Sequence, residues 1–248
     1  IATAGIDISV GAVVAISGAV CCSLIGGRGD GVAEYPMVVA MIAAIATGVV
    51  CGMWNGFLVA KIKIQPMVVT LILMVAGRGI AQLLTEGQII TVYYAPFSYI
   101  GGNIPGNIIP SPIIIAILMI ALVVFILKKT SLGLFIQSVG INPTASRYAG
   151  INVALIIFLV YAFSGFCAGV SGLIESSLIR AADANNAGLN MEMDAILAVA
   201  LGGTLLSGGK FYIGGSIIGA ITIQTLTTTM YAMGVASDQL PVVKAIVV

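Results

Sequence analysis

Long apolar runs that carry almost no charge constrain this chain more than any other feature. Hydrophobic residues make up 60% of its 248 residues and charged residues only 8%, whereas a soluble domain carries about a quarter charged residues. A helix needs ~20 mostly apolar residues to cross a bilayer. The runs do not alternate polar and apolar residues as membrane β-strands do, so we predict an all-α, polytopic transmembrane helical bundle. The predicted spans are 9–25, 36–60, 66–85, 112–127, 151–179, 192–207, 211–233 and a last one that starts near 241.

Some of these runs are short, which predicts broken or re-entrant helices. The first, fourth and sixth runs are the shortest. Just before the first lies the sequence GIDISVG at 5–11, in which two glycines flank an acid. Such a pattern is typical of a helix that breaks where its backbone faces a cavity. The chain begins without methionine and stops inside an apolar run, so we expect a single transmembrane domain over 1–248 that is incomplete at both ends.

The distribution of cations predicts the orientation. Positive charge accumulates in cytoplasmic loops, and the cations that follow the second, fourth and sixth spans all fall on one side. This places 61–65, 128–150 and 208–210 in the cytoplasm. The cations on that side are Lys61, Lys63, Lys128, Lys129, Arg147 and Lys210, whereas the opposite loops carry Asp30, Glu34, Glu86, Asp183 and Asp238 with Arg28 and Arg180.

One polar, glycine-marked segment interrupts the apolar runs near the middle of the chain, at 130–150. Lys128 and Lys129 precede it, and Arg147 lies within it, so we expect it on the cytoplasmic side. A membrane protein with an ordered cytoplasmic segment and no catalytic residues of its own is expected to contact a soluble partner there.

The residues exclude several kinds of chemistry. The chain contains no histidine, the usual general base and common metal ligand, and no evident pair of catalytic carboxylates, so we predict no enzyme and no metal site. Its four cysteines lie in apolar runs and are interpreted as small buried hydrophobes. Near Lys210, a sequence similar to a phosphate loop has Thr204 where the first glycine belongs and Phe211 in place of the hydroxyl residue. A net charge of +1 without a basic cluster argues against nucleic acid.

Polar residues in or near the apolar runs are the candidates for a solute pathway, because ionisable groups are costly in lipid. Two interpretations stay open: internal pairing that fixes helix packing, or a polar path for a hydrophilic solute. The loop 182–188 likewise either binds a polyol or uses Asn and Asp for its turn geometry. The candidates are Asp7, Ser9, Asn55, Arg78, Asp183, Asn185, Asn186 and Asp194.

Two other patterns have structural and functional interpretations. The aromatic residues of the outer loop 86–111 indicate either an interfacial belt or a docking surface for an extracytoplasmic protein. Glycines that recur every four residues at Gly48, Gly52 and Gly56 favour close helix packing. The pairs Gly165 with Gly169 and Gly215 with Gly219 have the same spacing.

Four segments together resemble the permease subunits of bacterial ABC importers for ribose, xylose, arabinose and galactose. GIDISVG at 5–11 is similar to that family's G-I-D-L-S-V-G. The sequence NGFLV at 55–59, followed by Gln65, Pro66 and Thr70, resembles its second motif, although Met67 replaces a phenylalanine. VGIN at 139–142 and EMDAI at 192–196, followed by two glycine-rich turns, resemble the last two. Within the family, 65–79 and 181–188 look most like galactofuranose permeases.

The resemblance implies a fold of the sugar ABC-importer permease type, in the bacterial inner membrane, surrounded by lipid. It implies import of a pentose or hexose through a pore formed with a second permease subunit, which is either the same or a different chain. Its other implied partners are a cytoplasmic ABC ATPase, which would hold ATP and Mg, and a periplasmic sugar-binding protein; no cofactor is expected in this chain. The implied coupling residues are Gly133, Val139, Gly140, Asn142, Ala145 and Gly150. The alternative is an ion-coupled secondary transporter of a small polar solute.

Overall fold

The computed structural model describes residues 1–26, 35–103, 109–235 and 239–247. Arg28, Asp30, Glu34 and Asp238, which the charge argument uses, and positions 104–108 of the outer loop lie outside the described residues. Within the described part, the helices are α1 (Val10–Gly26), α2 (Met37–Phe57), α3 (Pro66–Leu84), α4 (Ser98–Gly101), α5 (Ser111–Lys129), α6 (Ser131–Ile141), α7 (Pro143–Tyr148), α8 (Val153–Ile179), α9 (Met191–Leu201), α10 (Ile213–Ala232) and α11 (Leu240–Val247). A π-helical turn at Leu58–Ile62 continues α2, a 3₁₀ turn lies at Ala95–Phe97, and β1 (Ile90–Thr91) pairs antiparallel with β2 (Ala181–Ala182).

The predicted bundle of apolar helices is confirmed. Four helical stretches are long and apolar enough to cross a bilayer: Met37–Ile62, Pro66–Leu84, Ser111–Lys129 and Val153–Ile179. Three of them begin with proline at or just before the first helical turn, where a missing N–H costs nothing. Their bounds agree with the predicted spans to within a few residues because the length of an apolar run directly limits the helix.

α1 lies at the centre of the bundle. Its 17 residues are almost all buried, and it packs against α2, α3 and α8. Residues 5–9 before it are not helical, which confirms the predicted break at GIDISVG. The short helix is therefore an internal element that is preceded by a non-helical segment.

Small residues set the distance between helices. In α2, Gly52 and Gly56 face the backbone of Tyr161 and Phe158 in α8, at distances that leave no room for a side chain. Gly219 of α10 packs in the same way against the backbone of Ala198 in α9. Lipid provides no hydrophobic drive between helices, so such close backbone approach stabilises their association. The interpretation of the four-residue glycine spacing as packing agrees with the structure.

α9 is shorter than the predicted span 192–207. It ends at Leu201, and the chain then turns through Gly202 and Gly203 before α10 begins. Eleven residues reach about 16 Å, which is about half the thickness of the hydrocarbon core. α9 does not cross the membrane, in accord with the expectation of re-entrant elements, and it packs against α10.

Contacts between loops agree with the predicted sides. The backbone N–H of Gly209 donates to the carbonyl of Ala2 at 2.9 Å, and Gly140 packs against both residues. The segments predicted to be cytoplasmic, 128–150 and 208–210, therefore meet at one end of the bundle. At the other end, the pairing of β1 with β2 joins the outer loop to the end of α8.

Candidate functional site

The polar segment 130–150 folds as two short helices joined by one capping residue. Thr130 accepts a hydrogen bond from the N–H of Leu132 at 3.3 Å and begins α6. The side chain of Asn142 accepts from the N–H of Ala145 at 3.0 Å, and Pro143 occupies the first position of α7. Asparagine followed by proline is a favourable helix start. Asn142 therefore shapes the turn between α6 and α7.

The predicted coupling residues divide into buried and exposed positions. Gly133 and Gly140 lie against backbone atoms, and Val139 is fully buried in an apolar cluster with Val153 and Ile156. These three residues hold α6 in place. Ala145 and Gly150 are exposed. Gly150 has φ +85° and open space around it, so its glycine serves the backbone turn that follows α7.

α7 presents a mostly exposed surface at this end of the bundle. Of its six residues only Ser146 is buried, and its hydroxyl donates to the carbonyl of Asn142 at 2.9 Å. Tyr148 is 88% exposed and Ile141 68% exposed. Both side chains lie at the end of the bundle that is predicted to be cytoplasmic. We call Ile141, Thr144, Ala145, Arg147 and Tyr148 the α7 face.

The exposure of Ile141, Arg147 and Tyr148 was not predicted from the sequence. The available signal was the presence of large side chains in a segment otherwise rich in small and polar residues.

Asp7 lies at the centre of a hydrogen-bond network that joins three elements. One carboxylate oxygen accepts from the N–H and hydroxyl of Ser9 at 3.0 and 2.6 Å, and the other accepts from the hydroxyl of Ser164 at 2.9 Å. The amide of Asn55 donates to the hydroxyl of Ser9 at 2.9 Å. The network joins the non-helical segment before α1 to α2 and α8. This arrangement supports the packing interpretation of Asp7, Ser9 and Asn55.

Asp194 pairs with a residue far away in the sequence. The ammonium group of Lys244 in α11 contacts both of its carboxylate oxygens at 2.7 Å. The lysine side chain is 11% exposed and the aspartate side chain 34% exposed. A partly buried pair of this kind fixes α11 against α9, which again supports packing.

The loop 183–188 is stabilised by hydrogen bonds within the loop and by hydrogen bonds from α3. Asp183 accepts from the backbone N–H groups of Asn185 and Asn186 and from the side-chain amide of Asn186. These bonds, the amide of Asn186 first, lower the pKa of Asp183 against the opposing effect of its slight burial. Arg78 donates to the carbonyls of Ala184 and Ala187, and the amide of Gln82 donates to the side chain of Asn185 at 2.8 Å.

These contacts favour turn geometry over polyol binding in that loop. The carboxylate of Asp183 is already used by its own loop, and the guanidinium of Arg78 caps backbone carbonyls. Asn185 and Asn186 remain exposed, but their amide groups are engaged in the loop or with α3. The predicted pathway residues are therefore spread over three separate networks, and the structure does not bring them into one site.

The outer loop is anchored to α8 through an aromatic residue. Phe97 is fully buried in the main apolar cluster. The hydroxyl of Ser177 donates to its carbonyl and accepts from the N–H of Gly101. Phe97 therefore belongs to the core rather than to an interfacial belt. Tyr93, which is 69% exposed, and Tyr99, which is 40% exposed, face outward and remain available for a belt or a docking surface.

The turn at 203–210 serves packing. The hydroxyl of buried Thr204 accepts from the N–H of Tyr212 at 3.1 Å, while Gly208 has φ +88° and packs against Ala4. Within the described ranges, no three His, Cys, Asp or Glu side chains come close enough to hold a metal ion.

Comparison with known proteins gives matches over the full length. Residues 1–248 match the family described as the permease component of branched-chain amino acid transport systems. The chain is 48% identical to the galactofuranose transporter permease protein of Escherichia coli K12, over 100% of this chain and 71% of that protein. It is 40% identical to the fructose import permease protein of Bifidobacterium longum, over 100% of this chain and 69% of that protein. It is 36% identical to the ribose import permease protein of Escherichia coli K12, over 100% and 76%. No solved structure matches the chain.

Proposed function

This chain belongs to the family of branched-chain amino acid transport system permease components and is a multi-pass membrane subunit of a sugar importer of the ABC class, and on that premise we propose that its sugar is galactofuranose. The observation that supports this sugar is the 48% identity to the galactofuranose permease over the whole chain, against 40% and 36% for the fructose and ribose permeases. The bacterial relatives also support a place in the bacterial inner membrane.

The proposed ATPase partner docks on the α7 face. Tyr148 is the most exposed large side chain among the described residues of this end, and Arg147 adds a cation beside it. An exposed aromatic residue next to arginine is the composition that interface centres favour. ATP and Mg would then be bound by that partner, and this chain would receive only its movement.

Movement of α7 is transmitted inward by rigid contacts. Asn142 ties α7 to α6, and Val139 of α6 packs on Val153 and Ile156 at the start of α8. α8 in turn carries Ser164, which bonds Asp7 in the centre of the bundle. A displacement of α7 by the bound ATPase is therefore transmitted through these contacts to α8 and to the segment before α1.

The proposed partner on the outer side is a periplasmic sugar-binding protein. The loop that carries Tyr93 and Tyr99 is fixed to α8 by β1–β2 pairing and by buried Phe97. A rigid loop with exposed tyrosines supplies contact area at a low entropic cost. The second permease subunit, either a copy of this chain or a different chain, completes the pore.

Reconstituted uptake tests this function and its alternative. Proteoliposomes would contain the full protein alone or with its ATPase and binding protein, and galactofuranose uptake would be measured with ribose and fructose as competitors. We expect uptake only in the complete system with ATP, and weak competition by ribose and fructose. Strong inhibition by ribose would assign a different sugar. Uptake by the protein alone under an ion gradient would replace the importer with the secondary transporter.

A further inference from the structure

α10 carries a broad exposed polar surface. The helix has 20 residues, long enough to cross the bilayer, yet it is not among the four stretches apolar enough to do so in lipid. Its exposed polar residues follow one another through the second half of the helix. We call them the α10 polar face: Thr222, Gln224, Thr225, Thr228 and Thr229.

The threonines of this face satisfy their own donors. Each hydroxyl donates to the carbonyl four residues earlier; for Thr225 and Thr228 the acceptors are the carbonyls of Ile221 and Gln224, at 2.7 and 2.9 Å. Each hydroxyl oxygen therefore keeps lone pairs that point away from the helix. The surface offers acceptors for the hydroxyl groups of another molecule.

Gln224 requires a polar environment. It is exposed near the middle of the helix, and its amide has two donor hydrogens and an acceptor oxygen. An amide that faces hydrocarbon without partners costs several kcal/mol, of the order of 4–8 in transfer to an alkane. This side of α10 therefore faces water, a polar solute or protein.

The opposite side of α10 is already used for tight packing. Gly219 lies against Ala198 of α9 with no space for a side chain, and Ile223 and Met230, which are four and eleven residues further along the same side, are buried. Membrane helices associate through such small residues. The α10 polar face lies outside this seam, because its five residues are exposed, and the exposed Ile221 lies among them.

The charge of α10 restricts the solute. Residues 213–232 contain no Asp, Glu, Lys or Arg. A neutral surface of hydroxyl and amide groups matches a neutral, hydroxyl-rich solute, and it gives no fixed charge that would attract or select an ion. The sequence-predicted candidates Asp7, Arg78 and Asp194, in contrast, are engaged in internal bonds.

Taken together, these features lead us to propose that the α10 polar face lines the route of the sugar through the membrane, with Gln224 and Thr228 in contact with the passing sugar. This assignment rests on the proposed importer function. The proposal identifies the side of α10 that contacts the solute, whereas the resemblance to other permeases did not identify such a side.

Cysteine accessibility tests the assignment by a reaction rate that does not require sugar uptake. Gln224→Cys and Thr228→Cys would be made in the full protein within its complex and treated with a negatively charged, membrane-impermeant methanethiosulfonate. Ile117→Cys in α5 is the lipid-facing control, because Ile117 is 61% exposed on a helix that is almost entirely apolar. The parent protein gives the background, since its four cysteines are buried or half-buried.

We expect Gln224→Cys and Thr228→Cys to react at least about tenfold faster than Ile117→Cys, because only the thiolate reacts and it does not form in lipid. Galactofuranose added with the binding protein and ATP should slow both reactions. Disulfide cross-linking of Gln224→Cys between two permease copies, without labelling, would overturn the proposal and assign the face to the subunit interface. Equal, slow reaction at all three positions would overturn it as well.

Uptake gives a second readout. Thr228→Val and Gln224→Leu should lower the rate of uptake without loss of assembled complex, whereas Thr227→Val, on the half-buried side of the same helix, should not change it. Labelling as predicted together with no ATP-dependent uptake of any sugar would contradict the importer function but leave the water-lined face intact. Unchanged uptake in both face variants would overturn the contact with sugar.

Discussion

Gly48 of α2 and Gly165 of α8 meet backbone to backbone: a Cβ atom added to Gly48 would lie 2.5 Å from the carbonyl oxygen of Gly165. Real Cβ atoms do not approach a carbonyl so closely. The pair therefore fixes the separation of the two longest helices in the described part of the chain, and the central helix α1 packs against both of them.

Replacing Gly48 by alanine should destabilise the protein because the helices must move apart. Overpacking of this kind costs about 1–3 kcal/mol, measurable as a lowered thermal midpoint in detergent. Gly79→Ala in α3 is the matched control, since nothing lies within 4 Å of its Cβ position. That variant should be neutral or slightly stabilising because alanine favours helix over glycine by about 1 kcal/mol. Equal effects of the two substitutions would contradict the packing argument.

Tyr148 and Tyr93 give a reciprocal test of the two docking surfaces. Tyr148→Ala should weaken association with the ATPase by about 2 kcal/mol or more, the size of an aromatic hot spot, and leave binding-protein association unchanged. Tyr93→Ala should do the opposite. Both side chains are exposed, so neither change should alter the thermal midpoint. Co-purification and binding titrations with each partner measure the outcome, and loss of both associations in one variant would contradict separate surfaces.

Asp194 and Lys244 should behave as a structural pair. Asp194→Asn leaves the lysine without its partner in a largely buried place, which costs up to about 3–5 kcal/mol for fully buried pairs and less here because Asp194 is partly exposed. The exchanged double variant, Asp194→Lys with Lys244→Asp, should recover much of the lost stability and uptake. Recovery of stability without uptake would show that the carboxylate at 194 contacts the solute.

Replacing Asp7 should reduce the stability of the protein more directly than its transport activity. Its carboxylate accepts three hydrogen bonds, and hydrogen bonds to charged groups contribute about 1.5–3 kcal/mol each. Asp7→Ala should therefore lower the thermal midpoint more than Ser164→Ala, which removes one of the three bonds. A variant Asp7→Ala with the parent's stability and no uptake would instead assign Asp7 to the solute route.

A bulky residue at Gly140 should uncouple uptake from ATP hydrolysis while the protein remains inserted. The glycine packs against the backbone of Ala2 and Gly209, so Gly140→Leu must shift α6 and with it the α7 face. ATPase activity of the complex and sugar uptake are measured on the same sample. Uptake at the parent level would exclude a role of this contact in coupling.

The spans and the break before α1 were predictable because they depend on local sequence. The length of an apolar run limits a helix, and Gly5 and Gly11 around Asp7 indicate a break. The four-residue glycine spacing likewise predicted close packing, since residues four apart share a helix face.

Other features depend on contacts between distant segments and were not predictable. The pairing of Asp194 with Lys244 joins residues 50 apart, and the burial of Phe97 depends on how the outer loop folds onto α8. The polar side of α10 was not predictable because a helical threonine can satisfy its own hydroxyl on the preceding turn, so its presence in the sequence does not indicate which side faces a neighbour. The packing of α9 on α10 determines that side.

The central position of α1 has a consequence for synthesis. α1 ends at Gly26, but α8, a major part of its surroundings, begins only at Val153. At a translation rate of about 5–20 residues per second, the interval is roughly 6–25 s. During that time α1 has been synthesised but lacks its contacts with α8, and it lies in lipid or beside the insertion machinery. α1 contains no charged residue between Val10 and Gly26, so its sequence suits the membrane during synthesis as well as its later enclosure by protein.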